Sequence, residues 1–188
     1  MNPTPAGTPV LSNEPSMRER LRAVLEPRAG ERILEVGCGA GYYALDVARD
    51  LMPGGSLEMV DAHPEFLDAA IRGARERRLD NVGAALGDAR YLPYAADAFD
   101  AAYLVAALGD SQDPDTALRE LARVVRPRGR IVVGELHGDP HRIGVSTLRA
   151  SCPRAGLTLT RSVDVGSAYF AVLEPGRTTI RAARDRAG

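Results

Sequence analysis

The sequence predicts an α/β domain, doubly wound around a mostly parallel sheet, and three observations carry that prediction. Short β-rich runs alternate with helical patterns along the chain. The helical patterns place apolar residues three and four apart, one stripe per helix. Dipeptides that suit helix starts, a possible N-cap followed by proline, stand at His63-Pro64, Asp113-Pro114 and Asp139-Pro140. A strand, helix, strand rhythm demands crossover connections, which give a mostly parallel sheet with helices on both faces.

Pro3, Pro5, Gly7 and Pro9 predict a mobile arm over residues 1–13. Met17, Leu21, Val24 and Leu25 then form one stripe of a short helix, closed by Pro27 and Gly30. Strands are expected over Arg32 to Val36, Ser56 to Val60, Val82 to Leu86, Phe99 to Val105 and Arg130 to Glu135. Helices are expected over Tyr42 to Leu51, Pro64 to Arg78 and Pro114 to Val125. The second of these carries Leu67, Ala70, Ile71 and Ala74 on one face, and the third Leu118, Leu121 and Val125. Asp139-Pro140 predicts another helix start. The end breaks the rhythm: Thr158 to Val163 and Ala168 to Leu173 are separated only by Asp164 to Ser167, a link that makes a hairpin and so requires an antiparallel strand. A single domain over residues 14–175 with a tail over 176–188 follows.

Composition narrows the function. The chain has 188 residues, 45% hydrophobic and 26% charged, the size and balance of one water-soluble domain. A net charge of -1 gives no global field to draw in nucleic acid or an anionic membrane. All 24 basic residues are Arg, which removes chemistry that needs a lysine amine, such as Schiff bases and the P-loop lysine. The two cysteines, Cys38 and Cys152, form no CxxC pair, so neither a disulfide framework nor a cysteine zinc site is implied and the cytoplasm is the default compartment. No apolar run reaches the ~20 residues a bilayer span needs, and the first residues lack the basic head and apolar core of a leader.

Ile33-Leu34-Glu35-Val36-Gly37-Cys38-Gly39-Ala40-Gly41 sets a strand directly before a glycine-rich turn and a helix. In an open α/β sheet the ligand crevice lies at the carboxyl ends of the strands, where this turn falls. Asp61 ends the next strand 22 residues beyond Gly39, close to the ~20 expected of a carboxylate that grips a ribose diol. A dinucleotide site wants GxGxxG, with its last glycine at position 42, but this chain has GxGxG and Tyr42 there, which crowds a pyrophosphate. S-adenosyl-L-methionine has no phosphate, and its cationic groups tolerate Glu35 beside the loop. The glycines also have a plain reading as a tight turn with no ligand, and Asp61 and Asp88 as ordinary strand-end carboxylates.

With these residues in place the sequence resembles the class I S-adenosylmethionine-dependent methyltransferases, especially the small type of ubiquinone and menaquinone biosynthesis. ILEVGCGAG is similar to that family's first motif, LEMVDAHPEFLDAA to its second strand and ribose-binding acid, GDARYLPYAADAFD to the segment before the fourth strand, and ALRELARVVRPRGRIVVGEL to its helix, turn and fifth strand. The resemblance implies a Rossmann-like, seven-stranded sheet whose last strand is antiparallel. It implies that Gly37, Gly39 and the turn near Gly41 face the methionine moiety, Asp61 the ribose and Asp88 with the Ala89 amide the adenine, that Val105 lines the pocket near the methyl donor, and that Glu35 and Ala62 belong to the same cofactor-binding set. Two departures stand out. Ala40 takes the place of a common Thr, and Arg128 replaces the first glycine of a Pro-Gly-Gly turn, which leaves Gly129 to supply any positive φ.

Methyl transfer is a displacement that alignment of donor and acceptor largely supplies, with a general base needed only for hydroxyl or acidic C-H acceptors. His137, Asp139 and His141 form HxDxH after the fifth strand; a metal or base site is one reading, a helix start with solvated histidines the other, and His137 is the candidate base. No metal is expected. His63 suits a helix cap or the adenine edge, Tyr91 and Tyr94 an acceptor contact or packing, and Cys38 a small turn residue. YLVAALGDSQD after the fourth strand lacks the Asn/Asp-Pro-Pro-Tyr of base amino-methylating enzymes, and no Pro-Cys nucleophile exists. A small organic acceptor, methylated at oxygen, carbon or nitrogen, is therefore the expected partner, with no nucleic acid and no membrane. The connection from Glu135 to Leu148 leaves no room for a long lid, so the cleft is either open or closed by the arm or by a second subunit of a homodimer. A cofactor-binding module without turnover and a nicotinamide oxidoreductase are the competing readings.

Overall fold

The computed structural model describes residues 16–176, so the expected arm over 1–13 and all of the expected tail except Gly176 lie outside the described residues. The chain runs α1 (Met17–Leu25), β1 (Arg32–Val36), α2 (Ala44–Asp50), β2 (Ser56–Asp61), α3 (Pro64–Glu76), β3 (Val82–Leu86), β4 (Phe99–Val105), α4 (Pro114–Val124), β5 (Val125–Leu136) and α5 (Val145–Ser151). A 3₁₀ turn (Cys152–Ala155), β6 (Leu157–Asp164) and β7 (Ala168–Pro175) complete it.

The seven strands form one sheet in the order β3-β2-β1-β4-β5-β7-β6. β1 to β5 pair in parallel, while β7 runs antiparallel to both β5 and β6. Strand order therefore changes direction between β1 and β4, and a ligand crevice belongs there, above the carboxyl ends. Period-two alternation divides the core between the two faces of the sheet. Leu34, Leu104 and Val133 pack with Leu118, Leu121 and Leu148 of α4 and α5. Ile33, Met59, Tyr103 and Val132 pack with Leu21, Leu25, Val47 and Leu67 of α1 to α3 and with Leu51 just past α2.

Ser16 and Glu19 close a reciprocal capping box on α1, and Asp113 caps α4 by accepting the Thr116 amide at 3.0 Å. His63 precedes α3 but makes no cap bond; its ring turns to Asp61 instead. Asp139-Pro140 starts no helix. Asp139 accepts the His141 amide at 2.8 Å and closes a single turn, but Gly144 follows too soon for that turn to propagate, and α5 begins only at Val145.

The fifth strand differs from its expected span and from its expected turn. It starts at Val125, paired with Phe99; pairing resumes at Arg130 opposite Ala101, so that Arg126 to Gly129 bulge out. The positive φ in that bulge belongs to Arg128, at 67°, and not to Gly129. Gly129 is needed for space: a Cβ there would lie 2.5 Å from Val125 Cγ1 and 2.7 Å from the Asp100 carbonyl oxygen.

Candidate functional site

The carboxyl ends of β1 and β2 are tied together by the glycine turn. The Gly37 and Cys38 amides both donate to the Val60 carbonyl, at 2.7 and 3.3 Å, which pulls the turn over the end of β2. Gly37, Gly39 and Gly41 all have positive φ. At Gly37 the glycine is doubly required, because a Cβ would lie 2.6 Å from Ala107 Cβ. At Gly39 a Cβ would meet nothing within 4 Å, so the bare backbone of the turn faces open space.

Asp61 braces this turn. One carboxylate oxygen accepts the Gly39 amide at 2.9 Å; the other accepts the His63 amide at 3.0 Å and lies 3.1 Å from His63 Nδ1. The side chain is buried, yet it borders the cleft. Three of the carboxylate's roughly four lone-pair directions are thereby used, which leaves one for a ligand hydroxyl.

A cleft of about 470 Å³ opens here. Its walls are the glycine turn, the end of β2 with His63 and Phe66, the Gly87–Arg90 segment, and the loop after β4 from Ala106 to Gln112. Asp88 does not stand free on its wall. Arg90 grips it through Nε and Nη2 at 2.6–3.1 Å and holds its carboxyl below the usual range. The same guanidinium donates to Gln112 Oε1 at 2.9 Å, linking two walls of the cleft.

Glu35 lies beneath the turn on the α1–α3 face, 2% exposed. Burial pushes its carboxyl up to about 8; the Tyr103 hydroxyl facing it opposes the rise, and the nearby charge of Asp61 adds to it. One of its oxygens has no hydrogen-bond partner. Burial, reinforced by Glu35 and Asp61, also raises the Cys38 thiol to about 12, which leaves it un-ionised and unsuited to nucleophilic attack.

Of the residues singled out in the sequence, Gly37, Gly39, Asp61, Ala62, Asp88 and Ala89 come together on this cleft. Glu35 sits under it. Gly41 instead seats α2 against α3, where a Cβ would press on Ala70 at 3.0 Å, and half-buried Val105 packs against the core on the α1–α3 side. His137 lies in a separate depression of about 190 Å³, with Nε2 3.1 Å from Asp164 and Nδ1 2.9 Å from Arg142. Both ring nitrogens are engaged by side chains within that depression, apart from the cleft. His141 pairs with Asp110 at 2.7 Å, and among the described residues no cluster suited to a metal ion occurs. Tyr94 packs edge-on against Phe99, whereas Tyr91 is 72% exposed. Tyr42 is exposed with the Arg18 guanidinium 4.0 Å over its ring.

Sequence reasoning missed Phe66, Arg90, Ala107 and Gln112 as cleft residues. Phe66, three positions after His63 in the first turn of α3, had a spacing that signals the shared face; its ring lies 5.4 Å from that of His63. The others belong to irregular segments whose course no periodicity announces.

Residues 34–133 match the family described as Methyltransferase domain. The chain is 32% identical over 161 residues to Methyltransferase GfsG of Streptomyces halstedii, covering 84% of this chain and 56% of that protein. It is 29% identical over 126 residues to a demethylmenaquinone methyltransferase of Lactobacillus johnsonii, covering 66% of this chain and 52% of that one. It thus spans about half the length of these relatives. A SAM-dependent methyltransferase from Aquifex aeolicus superposes with a TM-score of 0.78 at 19% identity, over 85% of this chain and 89% of that chain, a likeness of fold.

Proposed function

The chain belongs to the Methyltransferase domain family, of the class I S-adenosylmethionine-dependent kind, and from that premise we propose that it transfers a methyl group to a small organic molecule by direct displacement. The observation that carries the reading is the joining of the glycine turn to Asp61, which leaves bare backbone and one open carboxylate position on the cleft.

The residues present fit the cofactor. Glu35, buried with an unpartnered oxygen under the turn, suits an amino group, and Asp61 suits a ribose hydroxyl. Asp88 and Ala89 border the end of the cleft nearest β3, where a base edge is the remaining part to seat. When bound, S-adenosylmethionine supplies an electrophilic methyl on a sulfonium. The work left to the protein is to hold donor and acceptor in line and to keep water out, because charge is dispersed in such a displacement. Ala106 and Ala107, at the start of the loop after β4, present a small apolar wall beside Gly37, which leaves space for an acceptor.

The balance of charge and the Ala106–Gln112 sequence support a small acceptor over a nucleic acid. Among the described residues no helix is long and apolar enough to cross a membrane, and a cytoplasmic location is part of this proposal. With His137 turned to Asp164 and Arg142, we assign no side-chain base; an acceptor that is nucleophilic by itself at neutral pH, a phenolate, an amine or a stabilised carbanion, suits the site best.

The test is release of S-adenosylhomocysteine from S-adenosylmethionine across a panel of phenols, amines and β-dicarbonyl compounds. Methylated product in equal amount with S-adenosylhomocysteine is expected for at least one class. Tight cofactor binding with no release across the panel would favour the reading as a binding module without turnover.

A further inference from the structure

A second buried glutamate has no part in that reading. Glu135, near the end of β5, is 1% exposed, and neither carboxylate oxygen has a hydrogen-bond partner. It follows Ile131 and Val133 in the alternation of β5 and so points to the α4–α5 side, next to the strand end that carries the acceptor wall: Ala106 donates its amide to Gly134 at 2.8 Å.

Two loops roof it. Gly109, in the loop after β4, lies so close to the loop after β5 that a Cβ on it would start 2.0 Å from the His141 carbonyl oxygen. The His141–Asp110 pair, at 2.7 Å, ties the same two loops at the surface. The groups facing Glu135 are Asp110 and the Gly109 amide from the first loop, Asp139 and the Ile143 amide from the second, and Tyr169 of β7, whose hydroxyl donates to the Ile143 carbonyl. Arg142 acts on Tyr169, and His141 is taken by Asp110. Glu135 is thus a buried carboxyl between two other carboxylates, with no cation paired to it.

We infer that Glu135 is a positioning residue for the acceptor wall: in its protonated form it lets the loop after β4 close against the loop after β5, and its ionisation releases that loop. Burial first, then Asp139, raises its carboxyl to about 7, and the Ile143 and Gly109 amides that face it offset only part of that rise. In the opened state it regains solvent and an ordinary value of 4.5. Between those values each unit of pH favours opening about tenfold, and above about 7 the effect levels off. Because Ala106, Ala107 and Asp110 to Gln112 line the cleft, release of the loop changes the wall an acceptor meets. That consequence rests on the proposed function; the device itself does not.

Hydrogen exchange of the full-length protein without ligand tests it. After correction for intrinsic exchange, peptides covering residues 106–112 are expected to lose at least tenfold protection between pH 5 and pH 7.5, and to do so equally in Glu35→Gln, which removes the other buried carboxyl that titrates in this range. Glu135→Gln, neutral at every pH, is expected to abolish that change. Asp139→Asn, at a partly exposed position where the amide oxygen can still accept from His141, is expected to move the levelling-off to lower pH and to shrink the loss. Protection in residues 106–112 that is independent of pH in the wild type, or an unaltered profile in Asp139→Asn, overturns the inference. Loss of S-adenosylhomocysteine binding with this profile intact would overturn the proposed function alone.

Discussion

The two sides of the cleft are built by opposite means. On the β1–β3 side the cleft wall is cross-tied: Gly37 and Cys38 to Val60, Asp61 to Gly39 and His63, Asp88 to Arg90. On the β4–β5 side the backbone is looser in kind. Ala106 holds a positive φ of 50°, the two loops meet through one close backbone approach and one exposed ion pair, and Glu135 is left without a partner. Each side hides a glutamate raised by burial, but on opposite faces of the sheet. Glu35 lies under a turn locked by glycine geometry, and Glu135 lies under loops that have no such lock. The difference suits a site in which one ligand is always the same and the other is set by the particular chain: the fixed half is preorganised, which lowers the cost of binding, and the other half is adjustable.

The largest effect expected on this contrast is at Gly37. Gly37→Ala adds left-handed strain of about 1–2 kcal/mol and an overpacking cost of about 1–3 kcal/mol against Ala107. Denaturant unfolding is expected to register the sum and titration to register loss of S-adenosylhomocysteine binding. Adding Ala107→Gly is expected to recover only the packing part. Next comes Asp61→Ala, expected to weaken S-adenosylhomocysteine binding by about 1.5–3 kcal/mol, as for lost hydrogen bonds to a charged group. An unchanged titration curve would remove Asp61 from the fixed half.

A smaller effect sharpens the comparison between the glutamates. Both carboxyls are raised in the folded state, so the native protein holds protons that the unfolded chain releases. Stability is therefore fully present below 4.5 and falls as pH rises, up to about 8 for Glu35 and about 7 for Glu135. Unfolding in urea at pH 5 and pH 8 is expected to show the protein weaker at pH 8, and Glu35→Gln to reduce that difference. A profile that rises over this range would contradict the burial of both groups as neutral acids.

Much of the fixed half was legible in the sequence, because its determinants are local. Apolar runs placed β1 and β3 residue for residue, as they did β4 on the other side, and the glycines with Asp61 marked the site of the turn. The adjustable half was less legible. Asp139-Pro140 has the form of a helix start, but too few residues separate it from Gly144, so local chemistry gave the wrong element. Arg128 carries the left-handed conformation that glycine was expected to hold, since Gly129 is pressed by Val125 and Asp100, a constraint from a neighbouring strand. His137 drew attention as a base by its place after β5, yet its partners Asp164 and Arg142 come from 27 and 5 residues away and take both nitrogens. Glu135 read as one more residue of an apolar strand; only the meeting of two loops above it makes it unusual.

The central claim, that the fixed half holds a sulfonium nucleoside, is tested most directly by thermal unfolding with S-adenosylhomocysteine and with NAD as separate ligands. Ligand at about 100 times its dissociation constant stabilises the native state by about 2.7 kcal/mol. For a chain of this size that is about 5–11 °C in the unfolding midpoint. The account predicts this rise with S-adenosylhomocysteine and none with NAD; a rise with NAD and none with S-adenosylhomocysteine would contradict it.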